Sequence, residues 1–449
     1  MKKTFKGGIH PPDSKDLSRY CPIRALENLP GQISVLMSQH IGAICKPVVK
    51  KRQEVEKGQL IGNSEAFVSA NVHSPVSGTV KDINLRSHPV LGRVQAVVIE
   101  PSEQSPEAPP EQSRFANFTE DDYSAEQINQ SIAEAGIVGM GGAGFPTGVK
   151  VGPNPKMPKE TMILNACECE PYITCDYRVM LEWTDQLIAG IKLLRKASGC
   201  KKCYIGIENN KPEAVKLLRE KTEGEENIEL SVLETKYPQG GERQLVNSVL
   251  GKVIPTGKIP PMAGVMVCNV ATAAAAAEAV CDSAPLTHRT VTVTGKGIQT
   301  PANLYVPAGT PVQHLIEQCG GLTEDAVKVV LGGPMTGFSV GELQTPTTKT
   351  TGCVLCLTKE EIGEAKYLFK KTPCIRCGRC LSVCPETLNP TKIAHAVKAD
   401  RLDLAEKHNI SACMECGSCS YICPANIEVT GYIKTGKIRI ARANKDMPA

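Results

Sequence analysis

The chain has little that would hold it in a bilayer or on a nucleic acid. No apolar run is long enough to span: the most membrane-like stretch, Met262 to Val280, is Ala-rich and broken by Asn269, Thr272 and Glu278, which predicts a buried helix instead. The opening MKKTFKGGIHPPDSK carries charge with no apolar segment behind it, so no signal peptide is expected and the cysteines are read in a reducing cytosol. Net charge is only +4, too small to imply nucleic acid. Aromatics make up 4%, against 41% hydrophobic and 22% charged residues overall, a globular balance that excludes disordered, collagenous and coiled-coil classes.

Glycine, proline and above all cysteine are plentiful: 39, 32 and 20 residues among 449. That length predicts roughly two to four domains, each able to bury a core without disulfide staples, so the thiols need another explanation. The Pro/Ser/Glu-rich stretch 101–113, extended to 118, reads as a semi-rigid linker that closes an N-terminal domain, residues 1–100. Residues 1–60 hold eleven Lys/Arg against five Asp/Glu, and residues 101–135 hold one against eight, so the basic front end is either a docking surface or a solvated face. Between 48 and 99, short β-rich runs are punctuated by Lys57-Gly58, Gly62-Asn63, Ser77-Gly78 and Leu91-Gly92, as in a small barrel or sandwich. EVEKGQLIG and HSPVSGTVKDI resemble the lipoyl and biotinyl carrier barrel. No Lys lies between Lys57 and Lys81, so the carrier fold is expected without carrier chemistry.

From TMILNA (161–166) through CYIGIENN and KPEAVKLLREK, strand and helix patterns alternate, predicting an α/β domain with a largely parallel sheet over 119–285. Residues 286–345 read as a small α+β module, 346–363 as a connector, and 364–449 as a helical domain around two Cys-rich loops. Those loops, CIRCGRCLSVCP (374–385) and CMECGSCSYICP (413–424), both match C-x2-C-x2-C-x3-C-P, the run that ligates cubane iron-sulfur clusters. Three cysteines of each run wrap one cluster and the fourth reaches the other. This assigns Cys374, Cys377, Cys380 and Cys423 to one 4Fe-4S cluster, and Cys384, Cys413, Cys416 and Cys419 to the second. Zinc prefers two separated pairs around one closed site, and disulfides conflict with the cytosolic reading, so both fit less well. Cys200/Cys203 and Cys353/Cys356 are lone CxxC pairs, read as buried free thiols.

GMGGAGFPTGVK (139–150) contains G-x-G-x-x-G, but a helical pattern precedes it and FPTG follows, so the ordinary Rossmann context fails. Five glycines within ten residues still let backbone amides point at a phosphate, with Lys150 as a positive charge; a tight structural turn is the bland alternative. That loop, NACECEPY (165–172), YPQGGERQL (237–245) and CNVATAAA (268–275) resemble, in the same order, the NADH-binding flavoprotein of respiratory complex I. The resemblance implies non-covalent flavin mononucleotide (FMN), its phosphate side held by Gly139, Gly141, Gly142, Gly144 and Lys150. Asn165, Glu168, Gly240, Gly241, Glu242, Asn269 and Thr272 would line the remainder. Phe145 is then placed to stack on NADH and Glu170 to meet the nicotinamide end. Cys167 stands where that family carries an acidic residue.

FKGGIHPP, the carrier-like barrel, the flavin segments, a β-grasp module and the doubled Cys run together resemble the C subunit of the Rnf ion-translocating ferredoxin:NAD oxidoreductase. The implied fold class is multidomain α/β: a barrel-sandwich hybrid, a Rossmann-like FMN/NADH domain, a β-grasp (SLBB) module and a helical two-cluster ferredoxin domain. The implied function is that of a peripheral component on the cytoplasmic face of the membrane. It would pass electrons between NAD(H), FMN and two 4Fe-4S clusters, with ferredoxin at the far end through the other Rnf subunits, which couple transfer to Na+ or H+ movement. The A subunit of the sodium-translocating NADH:quinone reductase shares the front architecture but lacks the cluster motifs. Two alternatives stay open: a cobalamin reductase-like enzyme, which should not begin with this barrel, and a non-catalytic iron-sulfur sensor or scaffold.

Overall fold

The computed structural model describes residues 3–116, 118–362 and 371–446. The last residue of the expected connector and the start of the expected helical domain, 363–370, fall outside them. The N-terminal barrel is two antiparallel sheets face to face. One orders Ile33–Leu36, Gly92–Pro101, Gly78–His88 and Glu54–Val55; the other orders Lys46–Pro47, Leu60–Asn63 and Val72–His73. Their β-branched residues interdigitate between the sheets, with Ile33, Val35, Ile61, Val72, Val80, Val97 and Ile99 all buried.

Ahead of the barrel strands, the N-terminal stretch makes its contacts with other parts of the chain. Residues 3–22 run across the α/β domain, and Ile23–Ala25 pairs in parallel with Asn303–Tyr305 of the β-grasp sheet. The open edge of that sheet takes the strand, since an edge leaves unpaired amides and carbonyls. The linker is pinned along its length: Gln104 accepts from the Leu29 amide at 3.0 Å, Glu107 pairs with Lys57 at 2.6 Å, and Gln112 donates to Gln186 at 2.8 Å.

The α/β domain carries a four-stranded parallel sheet in the order Ile228–Leu233, Lys202–Glu208, Thr161–Ala166, Val265–Asn269. Its first helix, Ala125–Glu134, begins at a capping box between Ser124 and Gln127. The stretch read as one buried helix, Met262 to Val280, resolves into the strand Val265–Asn269 and the helix Val270–Cys281. The alanines have a packing reason. Helix Thr184–Ser198 crosses there so closely that a Cβ on Gly190 would lie 1.9 Å from the Ala273 carbonyl oxygen.

The β-grasp module is a mixed six-stranded sheet: Ile23–Ala25, Ala302–Pro307, His288–Thr294, Cys353–Thr358, Ala326–Leu331, Phe338–Ser339. Its fourth strand lies in the expected connector 346–363, and its Cys353 and Cys356 are fully buried free thiols. Threonines around this strand masked its apolar character in the sequence. The C-terminal domain packs helices Pro390–Lys398, Leu402–Lys407 and Val429–Asp446 around Ile393, Val397, Ala405, Ile410 and Ile433. The single helical pattern of 393–409 breaks at Asp400, whose φ is 60°.

Candidate redox site

The glycine loop is closed by an antiparallel bridge between Val138 and Pro146, with the Gly139 amide donating to the Phe145 carbonyl at 2.9 Å. The Met140 amide donates to Thr272 Oγ1 at 2.9 Å, and Asn269 caps the helix Val270–Cys281 by accepting from the Thr272 amide. The loop therefore lies at the positive end of that helix. Gly141 packs on Asn269, where a Cβ would sit 2.7 Å from Nδ2, whereas Gly142 faces open space. Residues 141–143 are exposed, and among the described residues their amides have no well-formed acceptor. Unused donors on an open glycine turn suit a phosphate. Gly144 instead contacts the barrel, its carbonyl accepting from the Ile41 amide at 3.3 Å, and Phe145 is half-buried.

The opposite wall stands at the C-terminal ends of the parallel strands, where open α/β sheets bind ligands. Asn165 Nδ2 donates to the Gly240 carbonyl at 2.8 Å, and Cys169 Sγ accepts from the Gly240 amide at 3.3 Å. Lys150 joins the walls, reaching Glu242 at 3.1 Å and the Val267 carbonyl at 2.6 Å. Burial, the largest single influence, lowers its pKa, but the Glu242 carboxylate and Cys268 together more than offset this and hold it above the ordinary lysine value. Its charge is thus already partnered. Gly139, Gly141, Gly142, Lys150, Asn165, Gly240, Gly241, Glu242, Asn269 and Thr272 come together here.

Two carboxylates of NACECEPY turn elsewhere. Glu168 Oε1 accepts from the amides of Asp176 (2.7 Å) and Tyr177 (3.3 Å), capping the helix Cys175–Glu182, and burial pushes its carboxyl up to about 7 against the pull of Lys15. Glu170 lies under the β-grasp loop 333–336, accepting from the Met335 amide at 3.2 Å and bonded to Thr336 Oγ1; burial raises its carboxyl. Gly333 is needed for this fit, since a Cβ there would come within 2.2 Å of Glu170 Oε2.

The eight cysteines of the doubled run line two cavities. Cys384, Cys413, Cys416 and Cys419 line one. Cys374, Cys377, Cys380 and Cys423 line the other. Among the described residues no three His, Cys, Asp or Glu side chains could hold a single metal ion. Four thiols spread around a cavity suit the four iron corners of a cubane better than one tetrahedral zinc. The two loops repeat each other in backbone as well as sequence: Arg376 and Glu415, Gly378 and Gly417, Thr387 and Asn426 all have positive φ. Each third cysteine also meets a threonine hydroxyl, Cys380 with Thr391 at 2.8 Å and Cys419 with Thr430 at 3.4 Å.

The first cavity abuts the flavin cradle. A Cβ on Gly241 would lie 2.8 Å from Met414 Cε, and the Tyr237 hydroxyl donates to the Cys416 carbonyl at 2.8 Å, with Glu170 Oε1 3.5 Å away. Gln244 and Arg243 hold Glu386, at 2.8 and 3.4 Å, beside Cys384. Sequence reasoning missed Tyr237, Met414 and the two threonines. The threonines carried a signal, since each stands at the same offset behind its run.

Four family profiles match in chain order: the RnfC barrel sandwich hybrid domain (residues 3–104), the Nuo51 FMN-binding domain (132–278), the SLBB domain (290–339) and the 4Fe-4S dicluster domain (366–424). The chain is 41% identical over 413 residues to the C subunit of the proton-translocating ferredoxin:NAD(+) oxidoreductase complex of Clostridium ljungdahlii, covering 91% of this chain and 88% of that one. It is 40% identical to the C subunit of the Na(+)-translocating ferredoxin:NAD(+) oxidoreductase complex of Acetobacterium woodii, over 90% of each chain. In fold it resembles a chain of an air-oxidized NAD+-reducing [NiFe]-hydrogenase, with TM-score 0.51 at 17% identity, over 76% of this chain and 70% of that one.

Proposed function

The chain belongs to the family of C subunits of the ion-translocating ferredoxin:NAD(+) oxidoreductases, and from that premise we propose that it is the NAD(H)-binding flavo-iron-sulfur component of such a complex. It relays electrons between NAD(H), FMN and two 4Fe-4S clusters. Among the described residues no helix is long and apolar enough to cross a membrane, in keeping with a peripheral position on the cytoplasmic face. The membrane subunits then perform the Na+ or H+ translocation and connect the relay to ferredoxin.

The observation that carries this reading is the wall shared by the two sites, where Met414 of one cysteine loop meets Gly241 of the cradle. FMN, when bound, exchanges two electrons with NAD(H) and passes them singly to iron-sulfur clusters. In the chain itself, the amides of residues 141–143 and the N-terminus of helix Val270–Cys281 hold the flavin phosphate, with Gly139 and Gly144 shaping the turn. Lys150 and Glu242 brace the two walls as an ion pair. Asn165, Gly240, Gly241, Asn269 and Thr272 bound the ring, and Glu168 fixes the floor through its helix cap. Phe145 offers a ring face to NADH, and Glu170 is the carboxylate toward the nicotinamide end. The set Cys384, Cys413, Cys416 and Cys419 holds the inner cluster. The set Cys374, Cys377, Cys380 and Cys423 holds the outer cluster, which faces the next partner.

Anaerobic reconstitution tests the reading. The loaded protein should hold about eight irons and one FMN, and should reduce ferricyanide with NADH. Eight irons without flavin would leave only an electron wire, and both cofactors without turnover would indicate a sensor.

A further inference from the structure

The N-terminal segment that opens with Phe5-Lys6-Gly7-Gly8-Ile9 lies outside the two barrel sheets and touches the turn bearing Cys384, the Tyr237 loop and the 168–173 segment. Lys3 Nζ donates to Ser231 Oγ at 2.8 Å, and Lys236 Nζ donates to the Phe5 carbonyl at 2.9 Å. The Gly8 amide donates to the Val383 carbonyl at 2.8 Å. Ile9 and Tyr237 exchange both backbone hydrogen bonds, at 2.8 and 2.9 Å, and Ile9 packs with Tyr237 and Cys416 in one apolar cluster. Farther on, the Asp13 carbonyl accepts from the Tyr172 amide at 2.7 Å. The buried Lys15 ammonium donates to the carbonyls of Glu168 (2.9 Å), Glu170 (3.0 Å) and Ile173.

The two glycines are required by this route. Gly7 has φ +84°, and a Cβ there would stand 2.8 Å from the Cys384 carbonyl oxygen; Gly8 has φ +80°, and its Cβ would stand 2.7 Å from the Tyr237 carbonyl oxygen. Both meet backbone rather than flexible side-chain ends, so neither clash is relieved by a rotamer change. One face of the segment thus lies on the turn bearing Cys384, and the next residue lies on the loop that forms the flavin wall.

We propose that residues 5–15 are a positioning strap that fixes the separation between the inner cluster and the flavin by holding the Val383-Cys384 turn against Tyr237. The strap binds neither cofactor and acts through Cys384 and Tyr237. The proposal rests on the functional reading above. Its own content is that this strap, and not the α/β domain alone, sets the distance over which an electron passes.

Gly7→Ala in the full chain, reconstituted with iron, sulfide and FMN, tests it. The expected result is a normal rate of flavin reduction by NADH, an unchanged electron paramagnetic resonance signal from the outer cluster, and a shifted signal from the inner one. Transfer from flavin to cluster should slow by about 10- to 100-fold, the scale on which small misplacements of reacting groups act. Ile9→Val, which trims one methyl group against Tyr237 without straining the backbone, should move the same two readouts in the same direction by less. Gly31→Ala, at a glycine with nothing within 4 Å of the new Cβ, is the control. The proposal is overturned if both variants keep the inner signal and the transfer rate of the unmodified protein, or if they lose flavin and both clusters together. If the unmodified protein itself fails to pass electrons from NADH to its clusters, the functional reading fails first.

Discussion

The two cysteine cages are built from one repeated pattern and live in opposite surroundings. In the outer set Cys377 is exposed and its neighbour Ile375 is 65% exposed; the equivalent residues of the other loop are buried Cys416 and half-buried Met414, which is pressed against Gly241. Arg376 of the outer loop lies in an open region, whereas Glu415 at the equivalent place is held by Lys437 at 2.6 Å. The inner cage is further locked by Tyr237 to the Cys416 carbonyl and, beside Cys384, by Gln244 and Arg243 to Glu386. Local sequence therefore builds a cage, and the neighbouring domains decide what that cage communicates with: one faces the flavin cradle, the other the surface.

The comparison breaks most decisively if the fourth cysteines do not cross between runs. Cys384→Ala should remove about four of about eight irons, eliminate the inner cluster's signal and stop cluster reduction by NADH. Cys423→Ala should remove a similar amount of iron, spare the inner cluster and leave its reduction by NADH intact. Reversal of those two spectra would refute the crossed assignment, and identical behaviour would refute the inner-outer order.

A smaller effect separates the two hydrophobic neighbours. Met414→Ala opens a gap at the wall between cradle and cage and should cost about 1–2 kcal/mol, below the range for fully buried methionines because the residue keeps some exposure. Ile375→Ala should stay within about 0.5 kcal/mol in the same denaturant titration, because its side chain is mostly in solvent. Equal losses would mean that Ile375 is covered by a contact absent from this arrangement.

Much of this asymmetry is invisible in the sequence for a definite reason. The two runs are nearly interchangeable as text, and their shared turns and positive φ positions follow from local spacing. The α/β alternation and the barrel were legible in the same way, through periodicity and turn residues. What sets the cages apart comes from residues distant in sequence: Gly7 against Cys384, Tyr237 against Cys416, Gly241 against Met414. No periodicity reports such pairs. The sheet pairings of Ile23–Ala25 and Cys353–Thr358 went unread for the same reason, since each is a short segment whose partners in the sheet lie far along the chain. Glu168 shows a subtler limit: the resemblance placed it in the lining of the flavin pocket, while its carboxylate caps a helix seven residues on.

The finest contrast lies in the threonines behind each run. A hydroxyl donating to a ligand sulfur stabilises the more negative, reduced cluster and so raises its potential. The Cys380–Thr391 contact is 2.8 Å and Cys419–Thr430 is 3.4 Å, and Thr430 Oγ1 also accepts from the Ser420 hydroxyl at 2.9 Å. Thr391→Val should therefore lower the outer cluster's potential by more than Thr430→Val lowers the inner one's. Thr430→Val should cost about 1 kcal/mol more in stability, because Ser420 is left without its acceptor. Spectroscopic redox titration of the two variants measures the first difference and chemical denaturation the second. Equal shifts in potential would mean that the hydroxyls tune both cages alike, and the asymmetry would then reside wholly in what surrounds them.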